Sequence, residues 1–207
     1  MIHLTSSSES PHFPVMLDEV IKICSPYKGG VYIDCTFGGG GYSKKLLKFP
    51  KTKVIALDRD KFILDISKEL EKKYPNRFFF HQKKFSEVNK VVNNQSVDAV
   101  IFDLGLSSIQ LNNLQRGFSF KSKETLDMSM GLSITSAEEV LNNCSEQKLR
   151  SIIKILGEEK DASRIAKNII KTRLLKKITK VDQLVKIIEK SKKKNYSNKI
   201  NPSTKTF

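Results

Sequence analysis

The sequence predicts an α/β fold with a parallel sheet, followed by a second, helical region. Three observations predict it. Four short β-rich runs recur at regular spacing between Val31 and Asp103, and helical patterns fill the gaps between them. The AVIF stretch of the fourth run (99–102) is almost continuously apolar, as expected of a strand buried on both faces. After Asp103 the character changes: residues 105–135 are loop-like and rich in Ser, Asn and Gly, and from about Ser136 the periodicity is helical.

The elements follow in order. Pro14, ahead of VMLDEVIKIC, reads as the first position of an opening helix. The strands are VYIDC (31–35), KVIALD (53–58), RFFFH (77–81) and VDAVIFD (97–103), with helical patterns over Tyr42–Phe49, Lys61–Lys73 and Ser86–Val92. Four helical segments close the chain: AEEVLNN, EQKLRSIIKIL, EEKDASRIAKNIIKTRL and VDQLVKIIEK. In the third, Ala162, Ile165, Ala166, Ile169 and Ile170 share one face, while Arg164, Lys167 and Lys171 line another as a solvated face or an RNA contact. The implied organisation is a flexible tail over 1–11, a cofactor-binding domain over 12–107, and a loop plus helical domain over 108–207. If the strands take the doubly wound order 3-2-1-4, the fourth has an open apolar edge of the kind proteins cover, so either further strands lie outside this sequence or another chain covers it; the first is expected.

With 37 Lys/Arg against 22 Asp/Glu among 207 residues, the chain carries a net charge of +15. That excess fits a polyanionic partner, nucleic acid above all, although a lysine-rich base composition gives the same signal. Cys24, Cys35 and Cys144 are odd in number and form no CxxC, which predicts a reducing compartment, no zinc site and no metal. No apolar run reaches the ~20 residues of a membrane span. The opening MIHLTSSSES lacks the features of a signal peptide, so a cytoplasmic protein with no membrane partner is expected.

The candidate site centres on YIDCTFGGGGYS (32–43). In a doubly wound sheet, ligands bind beyond the carboxyl ends of the strands where the order reverses, here between strands one and four. Glycines in the loop after strand one let a ligand approach the backbone and leave amide donors at a helix start, or they simply make a tight turn. Asp58 closes strand two, where a carboxylate accepts bonds from the ribose hydroxyls of an adenosine; capping the helix near Lys61 is the alternative. Phe85 either covers an adenine or packs. Asp34, Asp58 and Asp103, at the ends of strands one, two and four, would surround one pocket. Such an acidic ring suits a sulfonium and repels a pyrophosphate, which favours S-adenosyl-L-methionine over a dinucleotide.

HFPVMLDEVI, YIDCTFGGGGYS, ALDRD, DLGLSSIQL, RGFSF, LDMSM, GEEK…SRIAK and NPSTKTF, in that order over residues 12–207, resemble the RsmH (MraW) family of bacterial 16S rRNA cytosine-N4 methyltransferases. The resemblance implies a Rossmann-like class I S-adenosylmethionine-dependent methyltransferase sheet, incomplete in this chain, with an inserted helical domain. It implies methyl transfer to the N4 amine of a decoding-centre cytidine in small-subunit rRNA, with the 30S particle as partner. Carried over by position, Gly40, Gly41 and Tyr42 fall on the cofactor-loop positions; Gly38, in the same glycine run, is a further candidate for cofactor binding. Asp58 falls on the ribose position, and Phe85, Asp103 and Gln110 on the remaining cofactor contacts. Tyr42 stands where the family usually has histidine, Gly39 replaces a common arginine, and LDMSMG replaces LDMRMD. Family members continue about a third further, and that continuation completes the sheet.

On this reading Asp103 accepts an amine hydrogen and takes up developing charge during an in-line transfer. Arg116 and Phe118 of RGFSF, with Phe120, offer a guanidinium and rings for a flipped base, unless the rings anchor the loop. The helical domain grips phosphates. A nicotinamide-dependent dehydrogenase and a non-catalytic RNA-binding remnant are the rival readings. The oligomeric state stays open, a dimer included.

Overall fold

The computed structural model of the chain describes residues 14–133, 135–192 and 200–207. The expected tail over 1–11 and the lysine-rich run over 193–199 lie outside the described residues. The chain divides into two compact units, Met1–Ser107 and Ser108–Phe207.

The first unit holds β1 (Gly30–Asp34), β2 (Thr52–Asp58), β3 (Phe78–Gln82) and β4 (Ala99–Ile101), all parallel in the order β3-β2-β1-β4. Its helices are α1 (Leu17–Cys24), α2 (Gly41–Leu46) and α3 (Leu64–Lys73). This is the reversal the strand pattern implies: β1 and β4 are neighbours, so the loops after them open side by side. Ile33, Cys35 and Leu57 are buried on one face of the sheet under Val88, Val91 and Val92. At the other end of the strands the Arg77 guanidinium donates to the carbonyls of Leu47, Phe49 and Thr52, tying the exit of α2 to the entry of β2.

Three expectations are corrected. Pro14 does not open the first helix: α1 starts at Leu17 after Met16, whose φ of 51° is left-handed. The segment Ser86–Val92 is not α-helical; it forms a 3-10 helix over Phe85–Lys90. The fourth strand is shorter than 97–103; just before it the Asp98 amide donates to the Val31 carbonyl at 2.8 Å and the Asp98 carboxylate accepts the Val31 amide at 2.7 Å. Nor is its AVIF stretch buried on both faces: Ile101 is buried, but Val100 and Phe102, which alternate with it onto the opposite face, are 44% and 48% exposed.

The second unit contains α4 (Ser108–Asn112), α5 (Ala137–Asn143), α6 (Glu146–Ile155), α7 (Ala162–Leu175) and α8 (Val181–Ser191). The stretch expected to be loop therefore holds α4 and a 3-10 turn over Leu114–Arg116. Ser136 and Glu139 close a capping box at α5, and the Ser145 hydroxyl accepts the Lys148 amide at the start of α6. Leu126, Leu149, Ile165, Ile169, Val181 and Ile188 form the core, which takes one face of α7. Among the carboxyls of this unit Glu159 is fully buried and ion-paired to Lys192, whose side chain is buried as well.

Candidate cofactor site

The loop after β1 is fastened on both sides. Cys35 donates its amide to the Ile101 carbonyl of β4, and Phe37 donates to the Leu57 carbonyl of β2. The Thr36 hydroxyl accepts the Asp103 amide at 2.8 Å. Asp58 accepts the Gly38 amide on one oxygen at 2.8 Å and the Asp60 amide on the other at 2.9 Å. Asp58 at the end of β2 and Asp103 just after β4 are thus both tied to the turn between β1 and α2.

The glycines of this loop differ in purpose. A Cβ on Gly38, at φ 49°, would touch the Ser107 Cβ and the Thr36 carbonyl oxygen at 3.8 Å, ordinary contact distances, so its left-handed backbone rather than crowding favours glycine there. A Cβ on Gly40 would sit 2.8 Å from the Phe37 ring, which is buried against Phe78 and Phe80. A Cβ on Gly41 would collide with Pro14 at 2.0 Å. Gly40 and Gly41 lack side chains because protein occupies the space, whereas Gly38 is favoured by its left-handed backbone. The Gly40 amide is also engaged, by the Phe37 carbonyl at 2.7 Å.

The expected ring of three acids is two acids with a third beneath. Asp34 lies inside, not at the rim: it is fully buried, with the Ser43 hydroxyl donating at 2.7 Å and the Thr36 amide at 3.3 Å. Burial pushes its carboxyl up to about 6 against those hydrogen bonds. Asp58 remains partly open. Burial raises its carboxyl too, opposed by the amides of Asp60 and Gly38. It does not cap the helix near Lys61, because Asp60 performs that task by accepting the Phe62 amide at 3.1 Å. Asp103 is half-buried, 3.5 Å from the Tyr42 hydroxyl, which donates instead to the Val15 carbonyl at 2.5 Å. Burial, then the Asp103 charge, pushes the Tyr42 phenol up to about 12. Burial likewise pushes the Cys35 thiol up to about 11, so it is unsuited to act as a nucleophile at neutral pH.

Asp34 carries a pH prediction. A raised carboxyl favours the folded state fully below its unfolded value of 3.8, and that contribution is lost as pH rises through about 6. The difference amounts to about 3 kcal/mol above pH 7. Asp34→Asn cannot ionise, so its stability relative to the wild type is expected to rise by roughly that amount between pH 4 and pH 8. Denaturant unfolding across that range checks it; a pH-independent offset would place the charge in water.

Phe85 is 47% exposed and meets Phe102 edge-on, centroids 5.8 Å apart, so the ring is available at the carboxyl end of the sheet. Gln110 is buried on α4, in the helical unit. Arg116 and Phe118 favour the alternative left open above, in which they anchor their loop. Both are buried, the guanidinium donating to the Ser129 carbonyl and lying 5.0 Å from the Phe118 ring. They anchor the loop, as Gly117 also shows, since a Cβ there would meet the Thr125 carbonyl at 2.4 Å. Three residues were missed. Thr36 and Ser43 reveal their roles only once strands pair. The Lys44 ammonium, donating to the Gly39 carbonyl at 2.8 Å, follows from i, i+5 proximity across a turn that no periodicity announces. Among the described residues no cluster of three or more His, Cys, Asp or Glu could hold a metal ion, and no helix is long and apolar enough to cross a membrane.

The sheet order, the glycine turn at its switch point and the carboxylates closing β2 and following β4 define a Rossmann-like fold of the methyltransferase type. The MraW methylase family matches residues 9–207, and the chain belongs to that family. It is 42% identical to "Ribosomal RNA small subunit methyltransferase H" of Orientia tsutsugamushi (strain Ikeda) over 200 residues, 95% of this chain and 64% of that protein. The proteins of the same name from Neorickettsia sennetsu and Zymomonas mobilis are 39% and 40% identical, over 98% and 88% of this chain and 68% and 55% of their own length. The chain thus spans roughly two thirds of the length of relatives such as the first.

Proposed function

We propose that this chain binds S-adenosyl-L-methionine over Gly38, between Asp58 and Asp103, and serves methyl transfer to the N4 amine of a decoding-centre cytidine in small-subunit ribosomal RNA, in the cytoplasm. The single observation that carries the cofactor reading is the state of Asp58. It spends its bonds to Gly38 and Asp60 on different oxygens and stays partly open. A carboxylate has about four acceptor positions, so capacity remains for a ribose hydroxyl beside the glycine turn. Family membership and the relatives' names support methyl transfer to small-subunit ribosomal RNA.

When bound, the cofactor supplies a methyl group on a cationic sulfur. The chain's residues supply position and field. Asp58 would hold the ribose, and Phe85 would offer an apolar face to the base. Asp103, fixed through its own amide by Thr36, would place a negative charge near the cation and accept a hydrogen from the incoming amine. That amine is weakly nucleophilic, so orientation is the main lever, worth roughly 7–11 kcal/mol in well-aligned systems. Asp34 and Ser43 keep the turn in shape from below.

The test is incorporation of labelled methyl into undermethylated small subunits by the 207-residue chain. Incorporation at a cytidine N4 is expected. RNA binding with no incorporation, at saturating cofactor, would favour a non-catalytic RNA-binding role instead.

A further inference from the structure

The chain's charge is unevenly divided between its units. Residues 1–107 hold 16 Lys/Arg and 12 Asp/Glu, a net +4, whereas residues 108–207 hold 21 and 10, a net +11. Within the second unit several acids are already committed: Glu138 to Lys177, Asp182 to Lys186, Asp161 to Arg164 and Glu159 to Lys192. Lys167 and Lys171 on α7 are exposed and have no acidic partner among the described residues.

Helix geometry sets where these cations stand. Ala162, Ile165, Ala166 and Ile169 enter the core. At about 100° per residue, Arg164, Lys167 and Lys171 fall on the opposite side, with Lys167 and Lys171 about one turn, or ~6 Å, apart. Exposed Leu174 and Leu175 follow them at the end of the helix. Because the α7 core face is already used, the outward stripe contributes nothing to packing.

We propose that the outward face of α7, centred on Lys167 and Lys171 and flanked by Arg164, binds the phosphate backbone of the RNA substrate without reading its sequence. The inference rests on the RNA reading above and concerns docking alone, so binding and methyl transfer can fail separately. Charge complementarity selects the partner: a membrane or protein partner would engage through Leu174 and Leu175 and would depend less on salt.

The experiment measures fluorescence anisotropy of a labelled small-subunit rRNA fragment with the full chain at several KCl concentrations. Lys167→Glu with Lys171→Glu is expected to weaken binding at least tenfold. It should also lower the slope of log affinity against log salt by about two, near one per lost phosphate contact, equally for an unrelated RNA duplex. Lys167→Gln with Lys171→Gln, the milder pair, should lower the slope similarly with a smaller affinity loss. Lys186→Glu with Lys190→Glu on α8 makes the same charge change elsewhere and should have a markedly smaller effect. An equal loss in that control would overturn the proposal, leaving only bulk charge. So would an unchanged slope, or a loss confined to Leu174→Ala with Leu175→Ala. Cofactor affinity, measured on the same samples, should not change. Absence of RNA binding by the wild type with cofactor binding intact would refute the docking face and leave the cofactor reading standing.

Discussion

Asp58→Ala is expected to lower the affinity for S-adenosyl-L-methionine by about 100-fold or more. Two losses combine. The substitution strips acceptors from the Gly38 and Asp60 amides, each bonded within 3 Å. Leaving those donors unpaired costs roughly 1–3 kcal/mol of folding stability in free and bound chain alike, and it reaches affinity only by loosening the turn. The ribose also loses a charged acceptor, worth about 1.5–3 kcal/mol. A net 2.7 kcal/mol already amounts to about 100-fold. Asp58→Asn should fall between, because an amide oxygen can still serve one of the two backbone donors. Calorimetric titration of both variants checks the order; equal affinity for wild type and Asp58→Ala would remove the residue from the site.

Glu159→Ala should be the most damaging single substitution for the helical unit. Glu159 is fully buried, is paired to an equally inaccessible Lys192 side chain, and accepts the Asp161 amide at 3.0 Å as α7 begins. Removing one partner of a buried pair leaves an uncompensated charge and costs about 3–5 kcal/mol. Replacing both members, as Glu159→Leu with Lys192→Met, should recover most of that loss, since two apolar side chains leave no charge to solvate. Urea unfolding followed by far-ultraviolet circular dichroism reads the difference. A cost below about 1 kcal/mol for the single variant would mean that water reaches Lys192.

What the sequence revealed, and what it hid, divides along the range of the interactions. The four strands, the helical region and the order β3-β2-β1-β4 are decided by local apolar patterning and the handedness of crossovers, so they could be read directly. Asp58 and Asp103 stand where strand ends place them. The direction of Asp34 could not be read, because Ser43 takes its carboxylate only after α2 has folded back beneath the loop. The reason for Gly41 was hidden in Pro14, 27 positions earlier. RGFSF resembles a base-stacking motif in composition, yet Arg116 and Phe118 face inward: Gly117 turns the chain, and the guanidinium finds the Ser129 carbonyl. Exposure of Val100 and Phe102 was masked by a sequence that looks like an interior strand; that their face of β4 is left open among the described residues shows only in the fold.

The wild-type arm of the calorimetric titration bears most directly on the whole account, with S-adenosyl-L-methionine, its demethylated thioether and NAD compared under one buffer. Two carboxylates around the glycine turn predict binding of both adenosyl ligands, the cationic form at least as tightly as the neutral thioether, and no measurable heat from the dinucleotide. Saturable binding of NAD with silence from the sulfonium compound would contradict it.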